Sequence, residues 1–179
     1  MNGILALCHF CEQHGPTLVF TTQALRNTSS FDDLSVDVKK STDAVSEGPS
    51  SSCEACGWTA DSPCFITHDE ESNSTLVSQH QPRRTELYSV VRRACLRALS
   101  SEISPSRNGG IVFGDHEQGY TFSYTFALHD GKARGGLRRY SLLMVMSDVM
   151  HLVSSWLFLD QHLQVLAQEL SGRVRTTEG

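Results

Sequence analysis

Residues 120–128 alternate large apolar side chains with smaller ones, and this pattern constrains the fold more than any other stretch of the chain. Tyr120, Phe122, Tyr124, Phe126 and Leu128 occupy every second position. Because successive side chains of a strand point to opposite faces of a sheet, a period of two over nine residues predicts a β-strand. The rest of the chain must therefore pack around a sheet.

Two further strands are predicted beside this one. A short apolar run at residues 110–113 precedes it, and residues 139–146 follow it, with turn-like segments at 114–119 and 129–136 between them. In the last strand Leu142 and Leu143 lie on opposite faces, and both faces are apolar. A strand that is apolar on both faces is expected at the centre of a sheet with layers on both sides.

The N-terminal residues predict a hairpin. The first strand covers residues 3–11 and is also apolar on both faces, a turn with Gly15 and Pro16 follows, and residues 17–22 form the second strand. We expect the first and last strands of the chain to pair at the centre of the sheet.

Two segments have helical periodicity. Residues 85–101 carry an apolar stripe at spacings of three and four, and so do residues 149–170, which follow Asp148 as a predicted N-cap. Gly172 is predicted to end this second helix, and residues 173–179 form a tail without a core pattern.

The elements predict a mixed α/β (α+β) domain. With the strands numbered along the chain, we predict an antiparallel-rich sheet of five strands in the order 2-1-5-4-3, with a helix on each face. In that order the second strand, residues 17–22, lies at an edge, where its free backbone groups would pair with a partner.

An acidic segment interrupts this domain. Residues 27–82 contain ten Asp or Glu and two basic residues, a net charge of −8 against −5 for the whole chain. Such a composition buries too little apolar surface to offset the entropy lost on ordering. We predict a disordered insert at about 23–62, clearest at 27–52, and residues 64–67 and 75–78 are candidates for packing back onto the domain.

Several motifs, in their order along the chain, resemble the N-terminal longin domain of the folliculin family. The resemblance covers roughly residues 1–22 and 63–170 and implies a longin domain at 1–172, interrupted by the insert. It also implies that the DENN-type domain of the family is absent from this chain. The motifs are CHFC at 8–11, HGP at 14–16, SVVRRAC at 89–95, FGD at 113–115, GYTFSYTF at 119–126, ARG at 133–135 and SWLF at 155–158.

The resemblance implies a GTPase-activating protein for small GTPases of the RagC/RagD type in nutrient signalling. Its expected partners are a folliculin-interacting protein, bound through longin domains, and a Ragulator-type lysosomal scaffold, with a homodimer in isolation; neither nucleic acid nor a cofactor is expected. No apolar run approaches the length of a membrane span, and the N-terminus lacks the basic region of a signal peptide. We expect a cytoplasmic protein that is recruited to the lysosomal surface and has no intrinsic enzyme activity.

The expected site residue is Arg134, between Ala133 and Gly135 in the second turn-like segment. GTP hydrolysis builds negative charge on phosphate oxygens, and a guanidinium supplied in trans stabilises it. We expect a polar, flexible loop here, and Arg134 has the reach, the permanent charge and the mobile loop tip that such an arginine finger needs. Arg138 and Arg139 are rival candidates, but they begin a strand and are expected to be rim charges.

Two alternatives remain. The first is a longin module that only forms heterodimers or tethers a trafficking complex. The second is a zinc-binding domain, because Cys8 and Cys11, with Cys53 and Cys56, have the spacing of a four-thiolate site. The strand pattern opposes the zinc hypothesis, because strand residues three apart face opposite ways.

The acidic insert yields a prediction for limited proteolysis. Cleavage should occur first between residues 27 and 52 and leave the remainder folded, because cleavage needs backbone that opens easily. Protection of these bonds equal to that of residues 120–128, measured by mass spectrometry of early fragments, would contradict the prediction.

Overall fold

The computed structural model describes residues 3–26, 64–82, 85–100, 109–131 and 133–177. Seven strands and three helices lie within these ranges. In chain order, strands β1 to β7 cover Ile4–Cys11, Gly15–Arg26, Phe65–Asp69, Ser74–Gln79, Gly109–Asp115, Gly119–His129 and Leu137–Met146. Helices α1 to α3 cover Thr85–Ala98, Val149–Ser154 and Trp156–Thr177.

All seven strands belong to one antiparallel sheet of order β3-β4-β2-β1-β7-β6-β5. The first and last strands, β1 and β7, pair as expected, with Leu5 opposite Met144 and Leu7 opposite Leu142. The doubly apolar pattern therefore identified the central pair of strands.

The prediction of five strands is wrong, because the sheet has seven and its full order differs, although the five predicted strands keep their relative order as β2-β1-β7-β6-β5. Strands β3 and β4 lie outside β2, and β4 pairs with residues 21–26 of β2. Consequently β2 is not the outermost strand, but β4 covers only residues 21–26 of it, so the partner contact expected at residues 17–22 stays a prediction. The two extra strands contain the short runs at 64–67 and 75–78, whose few apolar residues gave only a weak strand pattern.

The predicted insert begins too early. Residues 23–26 continue β2, because backbone pairing with β4 requires no apolar side chains. Residues 27–63 lie outside the described part of the chain, so the disorder predicted for them stays a prediction.

Each face of the sheet is covered by a different helical layer. On one face α1 packs against β1, β2 and β7, and on the other α2 and α3 pack chiefly against β6. The first core cluster consists of Ile4, Ala6, Cys8, Leu18, Val91, Ala94, Cys95, Ala98, Leu99, Leu143 and Val145. The second consists of Phe122, Tyr124, Leu142, Leu152, Leu159, Leu163 and Ala167.

The C-terminal helical segment differs from its prediction in two ways. Asp148 is the N-cap, and its Oδ1 accepts hydrogen bonds from the N–H groups of Met150 and His151, as expected. The helix is nevertheless divided at Ser155, and α3 continues through Gly172 to Thr177. The C-cap at Gly172 is therefore wrong, because one helical glycine costs only about 1 kcal/mol, which continued hydrogen bonding overrides. Among the described helices, none combines the length and apolarity that crossing a membrane requires.

The two core clusters yield a prediction for stability. Leu143 is 0% exposed in the α1 layer and Leu142 is 4% exposed in the opposite layer. Leu142→Ala and Leu143→Ala should each lower the free energy of unfolding by about 2–5 kcal/mol, since each leaves a cavity on its own face. Urea denaturation of each variant checks this, and losses below about 1 kcal/mol at both positions would contradict a two-sided core.

Candidate functional site

The β1–β2 turn and the β6–β7 loop lie at the same end of the sheet. Since β1 and β7 are antiparallel, the C-terminal end of β1 lies beside the start of β7, with His9 opposite Tyr140. Glu12 follows the end of β1, and Arg134 lies in the loop that leads into β7. The central strand pairing therefore brings these two connections together.

Three backbone hydrogen bonds close the β6–β7 loop. The N–H of Asp130 donates to the oxygen of Gly136 at 3.0 Å, the N–H of Ala133 donates to Asp130 at 2.9 Å, and the N–H of Gly136 donates to Ala133 at 2.9 Å. Gly135 and Gly136 have φ angles of 86° and 73°, a region in which L side chains are strained. The described residues of the loop are thus joined by backbone hydrogen bonds, whereas the polar, glycine-rich composition predicted a flexible loop.

Arg134 lies at the tip of this loop and is exposed. Its backbone N–H donates a hydrogen bond to Oε1 of Glu12 in the β1–β2 turn. With the described residues, its guanidinium makes neither an ion pair nor a hydrogen bond. The structure therefore fixes the backbone of Arg134 and leaves its charged group available to an external partner.

An ion pair between a buried arginine and a half-buried aspartate holds the base of the loop. Arg138 is 6% exposed, and its Nε lies 2.7 Å from Oδ2 of Asp130. The prediction that Arg138 is a rim charge is wrong, because it points inward from β7 and binds the loop to the sheet. The other rival, Arg139, is exposed on the opposite face of the same strand.

His9 lies beneath this ion pair and is 2% exposed. Burial and the adjacent Arg138 charge lower the pKa of His9 to about 4, and Asp130 opposes this shift. Its ring lies 5.6 Å from that of Tyr140. The neutral imidazole and the ion pair together form a polar cluster under the Arg134 loop.

Sequence reasoning proposed Arg134 as a site residue but missed the residues that hold its loop. Glu12 and Asp130 are ordinary turn residues in sequence, and His9 sits in an apolar strand pattern. The only available signal was the position of Asp130 directly after a strand, which is too common to assign a role.

Of the four cysteines in the zinc hypothesis, the structure describes Cys8 and Cys11, and each has a different neighbour. Cys8 lies in the α1 core cluster, where its thiol donates to the oxygen of Ser141, and burial raises its pKa well above the ordinary value. Cys11 is buried, with its Sγ 3.7 Å from Nδ1 of His14. Cys53 and Cys56 lie outside the described residues, and the described part brings no three potential metal ligands together.

A family model, Folliculin, described as a vesicle coat protein involved in Golgi to plasma membrane transport, matches residues 74–178, more than half of the chain. Folliculin of Rattus norvegicus is 38% identical and folliculin of Homo sapiens 36% identical over 203 aligned residues. Both alignments cover 97% of this chain but 35% of the relative, so the chain spans about a third of these folliculins. Folliculin-like protein bhd1 of Schizosaccharomyces pombe is 25% identical, over 95% of this chain and 69% of that protein.

The depressed pKa of His9 yields a prediction for pH dependence. The unfolded chain, in which the histidine pKa is near 6.5, binds more protons than the folded chain between about pH 4 and 6.5, so stability falls as the pH drops through that window. His80, whose pKa burial also lowers to about 4, contributes in the same direction.

His9→Phe removes one of these two titrations and keeps an aromatic ring beside Tyr140. Its free energy of unfolding should vary less with pH than that of the unaltered protein, by about 1.4 kcal/mol per pH unit within this window. Urea denaturation at pH 7, 6 and 5 measures both slopes, and equal slopes would show that His9 is not held neutral by the fold.

Proposed function

This chain belongs to the folliculin family, and we propose that it is the longin-type domain of a GTPase activator for RagC/RagD-type small GTPases. The observation that carries the proposal is the arrangement of Arg134. Its guanidinium is exposed and makes no bond with the described residues, while its backbone is fixed by Glu12 and by the closed turn. Arg134 is the proposed arginine finger.

The chemistry proposed for Arg134 is electrostatic. During GTP hydrolysis negative charge develops on phosphate oxygens, and a guanidinium placed from outside stabilises it, with rate effects of about 10³ to 10⁵. The GTPase supplies the nucleotide site and the attacking water. This chain makes and breaks no bond in the scheme; its residues bring one permanent positive charge to the phosphates.

The hydrogen bonds of the loop lower the conformational entropy that would be lost when Arg134 docks. A finger on a disordered loop loses conformational entropy each time it docks. Here the turn hydrogen bonds and the Asp130–Arg138 ion pair have already ordered the backbone in the free chain. Docking then needs to order mainly the side chain of Arg134.

The biological setting of the proposal comes from the family. We propose that the chain acts in a longer protein, paired with a folliculin-interacting protein through longin domains, and is recruited from the cytoplasm to the lysosomal surface by a Ragulator-type scaffold. Since the chain spans 35% of the folliculins that it matches, activity is expected of the full-length complex.

A non-catalytic interaction module is the second candidate, and one observation favours it. Strand β3 ends the sheet and is exposed throughout, with Phe65 57% and Ile66 37% exposed. Edge backbone and exposed apolar side chains are what a pairing strand uses. This edge is a second proposed partner contact beside residues 17–20 of β2, and it is compatible with either function.

Single-turnover GTP hydrolysis by a RagC-type GTPase separates the two candidates. With the full-length complex in excess, Arg134→Ala should lower the stimulated rate by about 10³-fold or more, because the transition-state charge loses its partner. Arg93→Ala, which removes an exposed arginine of α1 beside the β5–β6 turn, serves as the matched control and should keep the unaltered rate.

Binding of the GTPase is measured in parallel, so that a loss of docking is not mistaken for a loss of chemistry. If Arg134→Ala stimulates hydrolysis as well as the unaltered complex does, the finger assignment is wrong. The interaction module would then be the better description.

A further inference from the structure

The β1–β2 turn places the carboxylate of Glu12 against the backbone of Arg134. Glu12 is exposed, and its Oε1 accepts the backbone N–H of Arg134 across 122 residues of sequence. We propose that Glu12 is a positioning residue for the arginine finger, setting the direction in which the guanidinium leaves the sheet. The inference rests on the proposed function of Arg134.

Glu12 contacts the backbone of Arg134 and not its guanidinium, so the contact can position Arg134 without neutralising its charge. A carboxylate near an arginine commonly pairs with the guanidinium itself and occupies two of its donors. Here Glu12 binds the main chain instead, so the described part of the chain leaves all five guanidinium N–H donors of Arg134 to phosphate oxygens. The contact fixes the backbone of Arg134 and does not occupy the guanidinium that would bind the phosphates.

The contact also supplies a restraint that the loop lacks by itself. The turn hydrogen bonds join Asp130, Ala133 and Gly136 to one another, and the ion pair holds Asp130 to Arg138. These bonds fix the base and closure of the loop. Among the described contacts, only the Glu12 bond ties the tip residue to a different connection of the sheet.

Electrostatics would oppose any other use of this carboxylate. A negative charge close to the approaching phosphates weakens their attraction to Arg134. The charge of Glu12 therefore cannot be what assists the reaction, and its acceptor oxygen is the feature that can. The amide of glutamine offers the same acceptor without the charge, so Gln and Ala at this position separate the two explanations.

The test measures single-turnover GTP hydrolysis by the RagC-type GTPase with the full-length complex, together with the Kd of the GTPase. Glu12→Ala should lower the rate by ~10-fold to ~100-fold at unchanged Kd, the scale of a misplaced reacting group. Glu12→Gln should restore the rate to within ~3-fold of the unaltered complex, since a shift that small is far below the loss expected from misplacement. Glu117→Ala removes an exposed turn carboxylate at the opposite end of the sheet and should leave the rate unchanged.

A double variant separates positioning from general damage. If Glu12 acts through Arg134, then Glu12→Ala combined with Arg134→Ala should be no slower than Arg134→Ala alone, because the two changes remove the same contribution. Thermal unfolding and circular dichroism verify that each variant is folded.

Three results would overturn the inference. Glu12→Ala could retain the unaltered rate while Arg134→Ala is slow, which removes the positioning role and keeps the finger. Glu12→Ala could slow the Arg134→Ala background further, which assigns Glu12 a role independent of Arg134. If Arg134→Ala itself retains the unaltered rate, the proposed function fails and the positioning role fails with it.

Discussion

The antiparallel pairing of β1 with β7 is the constraint on which the rest of the structure depends. Both strands are apolar on both faces, so the pair is stable only between two layers, and α1 and the α2–α3 layer supply them. The same pairing places the β1–β2 turn beside the β6–β7 loop. The candidate site therefore follows from the core, because no other register would bring Glu12 to Arg134.

Arg134 and Arg138 have different roles because one is exposed and the other is buried. Arg138 points into the domain, where desolvation would be unfavourable without a partner, and Asp130 provides that partner. Arg134 points outward from the turn and has no such partner among the described residues. One guanidinium thus stabilises the loop and the other is presented by it, and the neutral His9 below adds no competing positive charge at neutral pH.

Strong periodicity made part of this fold predictable. The alternation through Phe122 and Tyr124 and the opposite faces of Leu142 and Leu143 follow directly from side-chain geometry, and the capping role of Asp148 follows from local hydrogen bonding. Strands β3 and β4 were not predicted, because backbone pairing at the outside of a sheet requires little apolar pattern in the sequence. The hydrogen bond between Glu12 and Arg134 was not predicted for a different reason, since a contact across 122 residues leaves no local pattern in the sequence.

As the proposed arginine finger, Arg134 would interact with charge that exists only in the transition state of GTP hydrolysis. Groups of this kind bind transition-state analogues more tightly than ground states. The direct measurement is the Kd of the full-length complex for a RagC-type GTPase loaded with GDP, with and without aluminium fluoride. Aluminium fluoride should tighten binding to the unaltered complex and not to Arg134→Ala, whereas equal tightening in both would show that Arg134 makes no contact specific to the transition state.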